Sequence, residues 1–181
     1  VHGFDTGPGN VLLDTWCQQC RNLPYDDAGA WGASGKVHSA LLTALLADAF
    51  FQQSPPKSTG RELFNAAWLA GILQSLSGQK PSASDIQATL VELTAQSVAS
   101  AIRAYAPQTQ RVLVCGGGIH NQALLQCLRI RLGPCQTDST LQHGFDPDWV
   151  EAAAFAWLAQ QTLLGKPGNI PTVTGARRPV V

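Results

Sequence analysis

Asp5 is the residue around which chemistry can be built. It stands in Gly3-Phe4-Asp5-Thr6-Gly7-Pro8-Gly9-Asn10, a carboxylate followed at once by a glycine–proline turn. A carboxylate so placed can act as a general base or bind a metal–phosphate complex. Thr6 and the backbone N–H groups after it can hold phosphate oxygens. The same letters also fit an Asx-turn in which Asp5 caps Gly7. A second stretch reads Val112-Leu113-Val114-Cys115-Gly116-Gly117-Gly118-Ile119-His120-Asn121. Here a short apolar β-type run meets three glycines, and a helical pattern follows through Asn121, Ala123, Leu124, Leu125 and Leu128. Glycines let a ligand approach the backbone, and free N–H groups at a helix start face an anion. One such turn is common in α/β proteins. Two in one chain point to a ligand with phosphates or a ribose.

The surrounding pattern supplies helices to carry these turns. Val11, Leu12, Leu13 and Trp16 open a helix for which Asn10 is the N-cap. Residues 21–36 read as an irregular surface loop, and residues 37–51 as an amphipathic helix. Pro55 and Pro56 end it. Thr59 or Ser58 then caps a helix bearing Leu63, Phe64, Trp68 and Leu69. Lys57, Ser58, Thr59 and Arg61 together suit a polyanion or form a solvated basic turn. The G-x-x-x-x-G-K-S/T order of a P-loop is absent. Residues 78–84 read as a polar linker, and Ser84-Asp85-Ile86-Gln87 resembles a capping box opening a long helix that ends near Tyr105. Residues 112–114 are a clear strand, and residues 1–5 and 136–137 are further strand candidates. A polar loop from Thr137 to Asp148 leads to an alanine-rich helix over residues 149–164. Glu151 suits the dipole of its first turn.

Composition narrows the classes. The chain has 181 residues, 45% hydrophobic and 13% charged, which suits one domain with a sizeable core. Lys plus Arg and Asp plus Glu both number 12, so formal net charge is zero. No basic excess recommends a nucleic-acid or membrane-surface binder. No apolar run reaches spanning length. The sequence holds no Met and opens on Val1, which suggests a fragment or a processed chain. Cys17 and Cys20 form a C-x-x-C that fits a redox pair, half a zinc site, or one face of a helix. Without a second cysteine pair, the helix face and a reduced cytoplasmic setting are favoured.

Taken together, the motifs resemble the anhydro-N-acetylmuramic acid kinase family of the actin/hexokinase-like ATPase superfamily. The matching stretches are Gly3 to Asn10, Lys57-Ser58-Thr59-Gly60-Arg61-Glu62-Leu63-Phe64-Asn65, Cys115 to Asn121, Asp148-Trp149-Val150-Glu151-Ala152, and the tail from Pro167-Gly168-Asn169 to Thr174-Gly175-Ala176. They span essentially the whole chain. The resemblance implies an α/β fold, a helix-rich actin-like (ribonuclease-H-like) lobe over residues 1–181, with an irregular tail over 165–181. It corresponds to the family's C-terminal half, without the N-terminal lobe.

The resemblance also implies an activity. Such enzymes use ATP and Mg²⁺ to phosphorylate O6 of 1,6-anhydro-N-acetylmuramic acid while water opens the anhydro bridge at C1. The product is N-acetylmuramic acid 6-phosphate, in bacterial cell-wall recycling. By similarity, Asp5 is the general base, and Thr6, Gly7, Gly9 and Asn10 form the second phosphate loop. Gly116, Gly117, Gly118 and Asn121 form the adenosine side. Glu151 and His120 bind the sugar, and no residue is assigned as a metal ligand. A bacterial cytoplasmic setting is implied, with no nucleic-acid or membrane partner, and a homodimer is expected because an exposed lobe interface encourages self-association. One lobe alone is expected to turn over little. The competing readings are a non-catalytic nucleotide-binding module from a truncated gene, a dinucleotide enzyme, and a purely structural domain. The dinucleotide reading lacks the G-x-G-x-x-G pattern, since His120 and Asn121 follow Gly118.

Overall fold

Helix α6 (Ala83–Tyr105) is the spine of the molecule. The structure, a computed structural model, describes residues 2–78 and 80–181. Ser82 starts α6 with a reciprocal cap. The Asp85 N–H donates to the Ser82 hydroxyl at 3.2 Å, and the Ser82 N–H donates to Asp85 Oδ2 at 3.3 Å. The box therefore opens at Ser82 rather than Ser84, because Asp85 lies three residues beyond Ser82 and that spacing closes both bonds. The expected linker over 78–84 includes Gln79, which lies outside the described residues.

α6 is buried on nearly every side through Leu90, Val91, Leu93, Ala95 and Ala99. Helices α1 (Val11–Arg21), α2 (Ala30–Ser34), α3 (Ser39–Leu46) and α7 (Gln122–Leu132) pack around it. Arg131 on α7 pairs with Glu92 on α6, which compensates a carboxylate otherwise buried. Phe64 centres an aromatic cluster, with ring centroids of Phe50 at 5.4 Å, Phe51 at 5.5 Å and Trp68 at 4.9 Å. Each fully buried Leu or Phe contributes about 1.5–3 kcal/mol relative to exposure.

Local polar contacts overrule several sequence expectations. The helix expected over 37–51 breaks into α3 and α4 (Ala49–Gln52). Asp48 makes the break: Oδ1 accepts from the Phe50 N–H at 2.9 Å and Oδ2 from the Trp68 indole N–H at 2.8 Å. The loop over 21–36 holds a 3-10 turn (Asp27–Gly29) and α2, whose first N–H groups are taken by Asp26. Helix α5 (Ala66–Ser75) is capped by Asn65, not by Ser58 or Thr59. The tail contains a short helix, α9 (Pro171–Thr174).

The sheet has two parallel strands, β1 (Arg111–Val114) and β2 (Gln136–Ser139), with Val112 opposite Thr137. α7 is the crossover between them, as parallel pairing requires. The candidate strand at the start of the chain does not form over residues 2–5. That segment is anchored by the Asp5 N–H donating to the Lys57 carbonyl at 3.1 Å, and Val1 lies outside the described residues. The fold is thus helix-rich α/β. Helix α8 (Val150–Leu163) differs from the others: it is rich in apolar residues, yet none of its side chains is buried. Phe155 is 63% and Trp157 51% exposed.

Candidate functional site

Asp5 is exposed and held by the loop that follows α4. Its Oδ2 accepts from the Ser58 hydroxyl at 2.7 Å and from the Thr59 N–H at 2.8 Å. Among the described residues Oδ1 takes no hydrogen bond, so one oxygen is oriented and the other is available. Asp5 therefore does not cap Gly7. It fronts an open cleft of about 640 Å³ with Phe4, Lys57, Ser58 and Thr174. The Lys57 ammonium donates to the Phe50 carbonyl at 3.0 Å and lies 4.5 Å from the centre of the Phe50 ring. Burial lowers its pKa. The group of Lys57, Ser58 and Thr59 thus serves Asp5 and the chain itself, not only a solvated turn.

Thr6 faces a neighbouring groove of about 360 Å³ that shares Lys57 with the Asp5 cleft. Gly7 is packed against its own chain: a Cβ there would stand 3.1 Å from Phe51 Cε1 and 3.1 Å from Ser97 Oγ. The Gly9 carbonyl accepts from the Thr94 hydroxyl on α6 at 3.0 Å, which ties the turn to the spine. Asn10 occupies the N-cap position of α1, but its side chain makes no capping bond. It turns instead to the second glycine stretch. The Asn10 amide nitrogen lies 3.5 Å from where a Cβ on Gly117 would sit, and 3.9 Å from that of Gly118.

The two glycine turns therefore meet, with Asn10 between them. Gly116 has φ 69°, a left-handed conformation that favours glycine. Its N–H donates to the Pro147 carbonyl at 2.9 Å, and residues Gly117–His120 form a 3-10 turn before α7. Asn121 caps α7, its Oδ1 accepting from the Leu124 N–H at 3.0 Å. Asn10, Gly117, His120 and Asn121 line one pocket of about 410 Å³. His120 Nε2 contacts the Asp148 carboxylate at 3.0 and 3.1 Å, fastening the turn to the segment before α8. Glu151 stands on the exposed first turn of α8.

Three contributors escaped sequence reasoning. Its sequence context presents Ser58 only as a cap or a phosphate contact, whereas in the structure it orients Asp5. Asp148 falls within a stretch that resembles the family, but its pairing with His120 is not readable there, since the two lie 28 residues apart. Asp14 lines the same pocket as Asn10. Its spacing of four from Asn10 on one helix face is a signal that was available. The C-x-x-C is not a matched pair. Cys17 is buried and Cys20 exposed, and all five cysteines are free. Burial raises both thiol pKa values, against the reactive thiolate a redox pair needs. Among the described residues no three His, Cys, Asp or Glu side chains gather as a metal site, and no helix is long and apolar enough to cross a membrane.

Fold and turns together define a class: a helix-rich α/β protein whose glycine turns adjoin at two helix starts, beside an oriented carboxylate. Comparison with known sequences narrows it. The sequence model of the anhydro-N-acetylmuramic acid kinase family matches residues 1–181, and the chain belongs to that family. It is 55% identical over 179 residues to an anhydro-N-acetylmuramic acid kinase of Xanthomonas campestris pv. campestris (strain 8004), covering 99% of this chain and 47% of that protein. Kinases of the same name from Xanthomonas oryzae pv. oryzae (strain MAFF 311018) and Coxiella burnetii (strain Dugway 5J108-111) are 52% and 51% identical, with the same coverage. The chain spans about half the length of the curated relatives it matches.

Proposed function

We propose that the chain forms part of an ATP-dependent sugar kinase that opens the 1,6-anhydro ring of anhydro-N-acetylmuramic acid and phosphorylates O6, giving N-acetylmuramic acid 6-phosphate in cell-wall recycling. The lobe is of the actin-like kind and works in the bacterial cytoplasm. The observation that carries the reading is the meeting of the two glycine turns at Asn10, in a chain of this kinase family.

Asp5 is the general base. Water attacks C1 of the sugar, and the C1–O6 bond breaks. Asp5 Oδ1 receives the water proton, while Ser58 and Thr59 hold Oδ2 still. The released O6 attacks the γ-phosphorus, and ADP leaves. Thr6, Gly7 and Gly9 line the phosphate path, Gly116 to Gly118 and Asn121 the nucleoside side, and His120 and Glu151 contact the sugar. Mg²⁺ travelling with ATP supplies charge neutralisation at the phosphates. It would be held mostly by phosphate oxygens and water, and no residue of this chain is assigned as its ligand. The proposal includes a homodimer, for which the exposed apolar surface of α8 is the support.

A coupled ADP-release assay of the whole protein tests this. Sugar-dependent ADP release that falls about a hundredfold or more in Asp5→Asn is the expected result. Undiminished turnover in that variant overturns the assignment of the base. Failure of ATP–Mg²⁺ to raise the melting temperature overturns the nucleotide site.

A further inference from the structure

The pocket of about 410 Å³ beside the second glycine turn has a chemistry that the phosphate reading does not use. Its wall carries Asp14, Asp26 and Asp27, with Tyr25 and Leu13 beside them. Asp26 is already spent: Oδ1 accepts from the Trp31 N–H at 2.9 Å and Oδ2 from the Gly32 N–H at 2.8 Å. Asp27 is exposed to water. Asp14 is the exception, a half-buried carboxylate on α1 to which no donor among the described residues gives a hydrogen bond. Burial raises its pKa, and Arg61 only partly offsets this. A partly desolvated acceptor without a donor is the group a ligand's hydroxyls would satisfy. Phosphates, by contrast, are repelled by three carboxylates. Within a nucleotide, the one element that presents paired hydroxyl donors is the ribose 2′,3′-diol.

We propose that Asp14 accepts hydrogen bonds from the ribose diol of the nucleotide and so selects ribonucleotides over 2′-deoxyribonucleotides. The inference rests on the reading of this chain as ATP-binding. The ribose sits against Asp14, with the base toward Tyr25 and the phosphates led away past Asn10 and Gly117. Asn10, Leu13 and Asp14 share one face of α1, so the helix that begins at the first glycine turn also carries the sugar contact. A site built around a substrate hydroxyl discriminates against the analogue that lacks it, because its buried acceptor is then left unpaired.

Calorimetric titration of the protein with ATP and with 2′-deoxy-ATP tests this. ATP is expected to bind about tenfold or more tightly than 2′-deoxy-ATP. Asp14→Asn is expected to weaken ATP and bring the two affinities together, while Asp27→Asn keeps the ratio. Asp14→Asn removes a charge that burial already disfavours, so its melting temperature should not fall, and that measurement controls for folding. Equal affinities in the unaltered protein, or a ratio that survives Asp14→Asn, overturn the proposal and leave the ATP site intact. Absence of binding by either nucleotide overturns the ATP reading itself, and this inference with it.

Discussion

Ser58 donates its hydroxyl to Asp5 Oδ2 at 2.7 Å across 53 residues of sequence. The Thr59 N–H reinforces it at 2.8 Å. A side chain from one loop thereby sets the direction of a carboxylate on another, and leaves the opposite oxygen open to the cleft.

Ser58→Ala should lower turnover without changing the KM for ATP. One of two bonds to Oδ2 is lost, and a hydrogen bond to a carboxylate is worth about 1.5–3 kcal/mol at most, so the expected fall is about ten- to a hundredfold. Ser58→Thr keeps a hydroxyl and should recover most of the rate. Steady-state kinetics separating kcat from KM decide it, and an equal loss in both parameters contradicts a positioning role.

Gly29→Ala should damage the second glycine turn from a distance. Gly29 has φ 71°, and a Cβ there would stand 2.0 Å from Asn121 Oδ1. Both backbone strain and the displaced α7 cap act together, so a loss of about 1–3 kcal/mol is expected in urea unfolding. An unchanged midpoint refutes the close packing of Gly29 on Asn121.

Phe64→Ala should cost about 3–5 kcal/mol, since Phe64 is 1% exposed and touches Phe50, Phe51 and Trp68. Urea unfolding followed by tryptophan fluorescence measures it, with Trp68 as a local reporter. A loss below about 1 kcal/mol would mean the cluster repacks.

Asp85 links acid pH to stability. Its pKa is lowered from 3.8, first by the Lys36 N–H that donates to it and next by Ser82. A lowered carboxylate contributes stability above its ordinary value and loses it as pH falls through the folded one. Asp85→Ala should therefore melt lower than the unaltered protein at neutral pH, with the gap closing below pH 3.8. Melting curves stepped through that window test the sign, and a gap that widens in acid sinks it.

Thiol chemistry separates the cysteines. Cys127 is pushed up to about 11, first by burial and then by Glu92. Cys17 is buried in the core, and Cys115 is exposed. A disulfide-exchange reagent at mild alkaline pH should label Cys115 early and Cys17 and Cys127 only on unfolding. Early labelling of Cys127 contradicts its placement beside Glu92.

Much of the candidate site was legible because it is local. The glycine turn after residues 112–114, the start of α7 at Asn121 and the helix beginning at Val11 each depend on residues within a few positions. Less legible was anything decided by a distant partner. Asp48 breaks a helix that periodicity runs through, because Trp68 on α5 reaches its carboxylate. The strand read at the chain start does not form over residues 2–5, since a strand needs a paired neighbour and periodicity cannot name one.

The sequence alone determined the family, the α/β class and the two glycine turns, because motif spacing and helix starts are properties of short contiguous stretches. Tertiary structure alone decided that Asn10 meets Gly117, that Ser58 orients Asp5, and that Asp14 is left half-buried without a donor. Those relations join or expose segments far apart in the chain, and only packing around α6 decides them.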